Sequence, residues 1–426
     1  FCLSSRCVPW THHGNPRKTH VPPLRLISSS PATSAPMAPS SSLVMALSAA
    51  AGLAAAVAVM RRSGAGRKAR KASEMAVDTG KGVEEERVCK QGFKPSLVPE
   101  DLDMIIVGSG VGGLVTGCLM AKAGRRVLVL EQHDQAGGNL HTFEEQGWEF
   151  DTGLHYVGDM GSKRSGARRL FDYCCDTPVD WAPMDDVYDT AVFRSEEVQR
   201  SVTASVRTEY RMRSNGGWRG VASDLKEWFP GEEGAIDAYF KLVKQAGQGM
   251  KMLLIRNLLP RPLGFLFGWL FDYTSLSLFY KTTDEVLSSL TSNRKLIGVL
   301  TYMWGDYGLP PSRSSFGVQA ALQTHYCSRG AFYPVGGPAA LSRAMVRTIE
   351  KHGGKVLVRA PVSEITIDTW GRATGVRLKA GDAIQASTVV STVGATQTYS
   401  RLVPERHRWR VKKEASAAEA LTREDG

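Results

Sequence analysis

The feature that most constrains this chain is a glycine turn set between a short apolar run and a helical one. Asp103-Met-Ile-Ile-Val107 is too short for a buried helix and reads as a buried parallel strand. Gly108-Ser-Gly110-Val-Gly112-Gly113 comes directly after it, with the spacing G-x-G-x-x-G. Val111 to Ala123 reads as a helix stopped by Gly124, and Arg126 to Leu130 as a second buried strand. Strand, turn, helix and strand make one right-handed β-α-β unit. In that setting Gly108 permits the tight turn, Gly110 lets a pyrophosphate reach the backbone, and Gly113 lets helix and strand pack closely. The helix start offers free N–H donors and the positive end of its dipole to phosphates. Glu131 ends the second strand, where a carboxylate accepts two hydrogen bonds from a ribose diol and disfavours a 2′-phosphate.

The residues after Glu131 choose between nucleotides. Gly137-Gly138 lies six residues on, then His141-Thr142-Phe143, then Trp148-Glu-Phe150-Asp151-Thr-Gly153. A second glycine pair lets backbone lie along the middle of an extended FAD, which a plain NAD dehydrogenase does not need. There is no second G-x-G-x-x-G, so a nicotinamide donor has no Rossmann domain of its own here. The dinucleotide-binding order resumes late. Pro338 to His352 reads as a helix ended by Gly353-Gly354, with strands after it at Lys355–Val358, Glu364–Asp368, Thr374–Lys379 and Thr388–Thr392. The expected fold is α/β: a Rossmann-type FAD-binding domain in two parts, 101–160 and 331–404, around an inserted, largely helical substrate domain at 161–330. Residues 73–100 read as a linker. Within the insert, Met252 to Tyr280 is crowded with Leu, Phe and Trp but broken by Pro260 and Pro262. It suits a core helix pair, a lid over an apolar substrate, or a membrane-docking face.

The formal charge of +11 suggests nucleic acid until its position is read. Ten of the 53 basic residues and none of the 42 acidic ones lie in residues 1–72, leaving 43 against 42 in the rest. The basicity belongs to a leader, and no nucleic-acid partner is expected. Residues 1–36 precede Met37, a plausible start. The Ala-dominated run Leu43–Met60, stopped by Arg61-Arg62 and continued by a basic, acid-free stretch to Ala72, reads as a two-part leader to a plastid. The alternative is a retained anchor in the endoplasmic reticulum membrane. The seven cysteines, at 2, 7, 89, 118, 174, 175 and 327, have no metal-ligand spacing, so no metal is expected.

Three runs carry a family resemblance: Val98 to Gly110, Leu128-Val-Leu-Glu-Gln-His-Asp-Gln-Ala-Gly-Gly138, and Phe150-Asp-Thr-Gly-Leu-His-Tyr-Val-Gly158. Together they resemble the all-trans-retinol 13,14-reductase (retinol saturase) family, which sits beside phytoene desaturases and carotenoid isomerases. The likeness thins through Trp181-Ala-Pro183, His325-Tyr326, Phe332-Tyr-Pro334 and Gly336-Gly337 to about Pro404. It implies an FAD enzyme that saturates one double bond of a hydrophobic isoprenoid, with NADPH or NADH as electron source. A carotenoid desaturase or cis-trans isomerase is the alternative, and a non-catalytic flavin-binding subunit is the rival of another class. By position the resemblance implies FAD contacts at Gly108, Gly110, Gly113, Glu131, Gly138 and His141, with their neighbours Gly112, Gln132, Gly137 and Asn139. Val362 falls where such proteins hold adenine by backbone.

Two positions depart from the family pattern. Asn139-Leu140 stands where a cysteine pair is usual, and Val335 where a basic residue usually precedes Gly336. Relatives also continue past Pro404 into a second glycine-rich segment, so residues 405–426 read as the polar tail of a truncated chain, one expected to hold flavin weakly and not to turn over. Saturating a polyene bond needs a hydride and a proton. The candidate proton donors are His155, Tyr156 and His141, then His325 and Tyr333, with His155 first because it comes after the Asp151-Thr-Gly153 strand.

Overall fold

The computed structural model describes residues 87–153, 155–199, 202–213, 216–258, 276–327 and 330–409. The leader, residues 259–275 of the apolar stretch and the tail from residue 410 lie outside the described residues. Four short strands form the central sheet: β1 (Met104–Val107), β2 (Val127–Leu130), β10 (Lys355–Leu357) and β14 (Thr388–Ser391). Their order is β10-β2-β1-β14 and every neighbouring pair is parallel. The chain leaves β1 toward β2 on one side and returns as β14 on the other. This is a topological switch point, and ligands of such sheets sit beyond the carboxyl ends of the strands there.

The two sides of the sheet are covered differently. The alternation of strand side chains sends Ile106, Val127, Val129 and Val356 to one face. There they pack on Leu114 and Cys118 of helix α1 (Val111–Lys122) and on Leu341, Met345 and Ile349 of a later helix, Pro338–Lys351. Ile105, Val107, Leu128, Leu130 and Leu357 point the other way, onto Ile365, Val376, Leu378 and Ile384. Those four belong to an antiparallel sheet of β11 (Val362–Ile367), β12 (Ala373–Leu378) and β13 (Ala383–Gln385). With both faces covered, β2 reads as four buried residues in a row. Each of its leucines and valines contributes about 1.5–3 kcal/mol.

Residues 88–98 pack onto this core. Cys89 is buried in it, the Phe93 N–H donates to Val358 O at 2.9 Å, and the Ala136 N–H donates to Cys89 O at 2.8 Å.

The insert has its own core, built around Ile236, Tyr239, Leu287, Leu296 and Phe316, all fully buried. Its long helices are Gly217–Trp228, Glu233–Leu258 and Phe316–Cys327. It also contains a long hairpin, β7 (Val187–Gln199) with β8 (Val202–Arg213), which the sequence pattern did not announce. Its second strand alternates Thr208, Tyr210 and Met212 inward with exposed Arg207, Glu209, Arg211 and Arg213, so half of it looks like polar loop. A three-stranded sheet of β5 (Val157–Gly158), β9 (Ala331–Pro334) and β6 (Trp181–Pro183) joins the insert to the sandwich. Among the described residues no helix is long and apolar enough to cross a membrane.

The glycines of the turn separate into two kinds. A Cβ on Gly113 would stand 2.0 Å from Gly108 O, a backbone atom that cannot yield, whereas one on Gly112 would meet nothing within 4 Å. Gly113→Ala is therefore expected to destabilise the fold by about 3 kcal/mol or more. Gly112→Ala is expected to be neutral or stabilising by up to about 1 kcal/mol. Urea unfolding of the two variants checks this, and equal losses would contradict it.

Candidate cofactor cradle and catalytic face

The cradle begins where β1 ends. Gly108 takes φ +97°, and Thr392, just past β14, donates its hydroxyl to Val107 O at 3.0 Å and Gly108 O at 3.1 Å. The turn is thus tied to the far side of the switch point. Gly110 is the N-cap of α1 and its side-chain-free position leaves the first N–H groups of the helix without a capping side chain. Gly110 itself has no protein atom within 4 Å of where a Cβ would be. Packing does not demand a glycine there. The position lines a cavity instead.

Glu131 is buried at 9% exposure and held by three donors. Its Oε2 accepts from the Ser109 N–H at 2.9 Å and the Ser109 hydroxyl at 2.6 Å, and its Oε1 accepts from the His133 N–H at 3.0 Å. Two lone pairs per oxygen leave one site, on Oε1, for a ribose hydroxyl. Around this carboxylate lies a cavity of about 620 Å³ lined by Gly108, Gly110, Glu131, Gln132, Val362 and Thr392 among others. Five of the sequence-predicted cofactor residues therefore share one cavity. Lys379, Gln397 and Arg401 line it too. Sequence reasoning missed these three because they lie outside the motif, on a strand end and a short helical turn whose position only the fold reveals. The donors, the open glycine and the carboxylate fit the adenosine diphosphate half of FAD.

The second glycine pair stands against the first. Gly137 takes φ +133° and Gly138 φ +56°, and a Cβ on Gly138 would come within 2.8 Å of Gly110 Cα. Asn139 packs on Gly153, where a Cβ would lie 2.8 Å from Asn139 Cβ. The His141 ring sits 5.9 Å from that of His133, and its Nδ1 pairs with Gly138 O. A carbonyl can only accept, so Nδ1 is the donor in this contact. The Thr152 hydroxyl in turn donates to His141 O. The hairpin β3 (Thr142–Glu145) with β4 (Trp148–Asp151) leads into Thr152-Gly153, which therefore runs beside Asn139–His141.

Those candidates differ in what they can still do. His155 is exposed and within electrostatic range of Asp151 and Asp306. The Tyr156 hydroxyl is committed, donating to Asp189 Oδ2 at 2.7 Å. Its ring stands edge-on to Tyr188 and Tyr326, with centroids 5.6 and 5.1 Å away. Burial, then the Asp189 charge, keeps this phenol far above its ordinary range. Tyr333 donates to both oxygens of Asp151, at 3.0 and 2.8 Å. Burial raises the Asp151 carboxyl and the Tyr333 bond opposes that rise. His325 is engaged structurally, its Nε2 accepting the Gly158 N–H at 2.8 Å. A Cβ on Gly158 would fall 2.1 Å from His325 O, so the two segments touch backbone to backbone.

This combination defines a dinucleotide-binding flavoprotein fold. Residues 111–421 match the family described as flavin containing amine oxidoreductase, and the chain belongs to that family. Within it, the chain is 41% identical over 325 residues to the all-trans-retinol 13,14-reductase of Danio rerio, covering 75% of this chain and 52% of that one. It is 34% identical to an inactive all-trans-retinol 13,14-reductase of the same species, covering 75% and 52%. A neurosporene-forming phytoene desaturase of Cereibacter sphaeroides is 30% identical, covering 74% and 58%. The chain spans about half the length of the retinol reductases it matches.

Burial lowers the His325 pKa from its ordinary 6.5, with the Asp159 charge opposing. The unfolded chain binds this proton at a higher pH than the folded one. The stability His325 contributes is therefore present above pH 6.5 and is lost as pH falls toward the folded value, by up to about 1.4 kcal/mol per unit. Urea midpoints at pH 7.5 and 5.5 are expected to fall less in His325→Gln than in the parent. An equal fall would remove His325 from the account.

Proposed function

We propose that the protein uses FAD, reduced by NADPH or NADH, to saturate one carbon–carbon double bond of a retinoid or carotenoid-like polyene. The observation that carries this reading is the 41% identity to a retinol reductase over 325 residues, 75% of this chain. In this reading the α1 N-terminus and Gly110 receive the pyrophosphate, Glu131 the ribose, and the Val362 backbone the adenine. Gln132, Gly137, Gly138 and Asn139 border the path toward the ring. Bound FAD supplies hydride transfer. The protein supplies orientation and a proton. We place the proton at His155, which is exposed beside Asp151, because the Tyr156 proton points to Asp189 and His141 Nδ1–H to Gly138 O. The inactive relative favours one second reading, a flavin binder without turnover.

Full-length protein incubated with all-trans-retinol and NADPH is expected to yield a dihydroretinol by chromatography. Glu131→Ala, which removes charged hydrogen bonds worth about 1.5–3 kcal/mol, is expected to weaken FAD binding about 10- to 100-fold. Tightly held FAD with no change in retinol or carotenoids would favour the binder, and a conjugated or isomerised product the desaturase or isomerase. The substrate's apolar character also leads us to place the protein at a membrane surface, and the basic, acid-free leader in a plastid. Residues 37–80 fused to a fluorescent reporter are expected to carry it there, and retention in the endoplasmic reticulum would replace that location with the anchor reading.

A further inference from the structure

The second residue of the hexad does something its motif position does not require. Ser109 has no exposed surface, although Gly108 and Gly110 on either side line the cavity. Its side chain therefore turns inward, away from any ligand. The hydroxyl donates to Glu131 Oε2 at 2.6 Å, the residue's own N–H donates to the same oxygen at 2.9 Å, and Oγ accepts the Gly137 N–H at 3.1 Å. One hydroxyl thus connects three loops, those after β1, after β2 and at the second glycine pair. Every atom in the connection is hydrogen-bonded, and the group lies in the interior, where such bonds fix geometry most firmly.

We propose that Ser109 is a positioning residue that aims Glu131 at the ribose 2′-hydroxyl and couples ribose occupancy to the backbone at Gly137. The proposal rests on the reading of the cavity as the adenosine diphosphate end of an FAD site. With Oε2 held by both donors of Ser109 and Oε1 by the His133 N–H, the carboxylate is gripped at both oxygens, and the remaining lone pair of Oε1 is presented at one fixed place. A sugar hydroxyl donating to Glu131 draws on the same charge that the Ser109 hydroxyl binds. Any shift of the carboxylate is passed through Oγ to the Gly137 N–H, although Gly137 lies outside the cavity lining. Ser109→Ala keeps the two backbone donors, removes the shortest of the three bonds and so loosens the carboxylate at Oε2, and leaves the Gly137 N–H without its acceptor.

The test uses ligands that lack the flavin. ADP and 2′-deoxy-ADP binding is measured by calorimetry on the parent protein and on Ser109→Ala. A site built to bond a hydroxyl discriminates against the analogue that lacks it. The parent is expected to prefer ADP about tenfold, one charge-assisted hydrogen bond's worth. In Ser109→Ala that preference is expected to fall below about threefold, while 2′-deoxy-ADP binds the two proteins alike. A general loosening of the fold would weaken both ligands together and leave the ratio intact, so an intact ratio overturns the proposal. A second measurement needs no variant. ADP is expected to slow amide exchange at Gly137 in the parent protein about tenfold, and unchanged exchange with ADP bound also overturns the proposal. A parent protein that binds neither ADP nor FAD overturns the cofactor reading itself, and the proposal with it.

Discussion

Everything in the cradle depends on one backbone contact, the carbonyl of Gly108 against the α-carbon of Gly113. The separation is too small for any side chain at position 113. It sets how far helix α1 stands from the end of β1, and so where the helix dipole and its unpaired N–H groups are aimed. The Thr392 hydroxyl pins the same carbonyl from the β14 side. The glycine pair at 137 and 138 then rests on Gly110. Three loops far apart in sequence thus meet around a contact that contains no side chain at all. Hydrophobic burial supplies most of the stability of this region. The aim of its polar groups comes from the places where bulk is forbidden.

The cofactor half of the molecule was largely legible in the sequence, for a physical reason. A parallel strand covered on both faces must be apolar throughout, and a turn that admits a phosphate must be glycine. Both leave marks in a single sequence. Strands 104–107, 127–130, 355–357 and 388–391 and helix 338–351 stand within a residue or two of where their patterns put them. The cavity lining at Lys379, Gln397 and Arg401 was not legible, because nothing about a lysine or arginine reports which loop the fold will bring beside it. The hairpin at 187–213 was missed for the opposite reason: one of its faces is wet, and charged residues on alternate positions imitate a loop. Among the catalytic candidates, sequence could name residue types but not their hydrogen-bond partners. The partners decide that Tyr156 and His325 are already engaged.

The regions around Glu131 and Tyr156 are built differently. Around Glu131 the polar groups are fixed before any ligand arrives, and the glycine that faces the cavity leaves the ligand's path open. Around Tyr156 the packing is aromatic and sulfur-bearing, with Met184, Tyr188, Tyr302, Met303 and Tyr326 in one core cluster, and Asp189 is the carboxylate that a ring hydroxyl reaches.

The order of the central sheet also governs how the protein is made. Strand β2 finds its outer neighbour β10 about 225 residues later in the chain, and β1 must wait still longer for β14. At ribosomal speeds that interval is about 10–45 s. Throughout it, the first β-α-β unit exists as a two-stranded fragment with apolar edges and no cover on one face. Long-range parallel pairing is slow even when both partners are present. The insert, with a separate core of its own, can become compact during that wait and bring the ends of its segment together at β5 and β9. Its place between the two sandwich segments therefore makes it part of the assembly route of the cradle, and a defect in the insert's core reaches the nascent sheet as lost time in an exposed state.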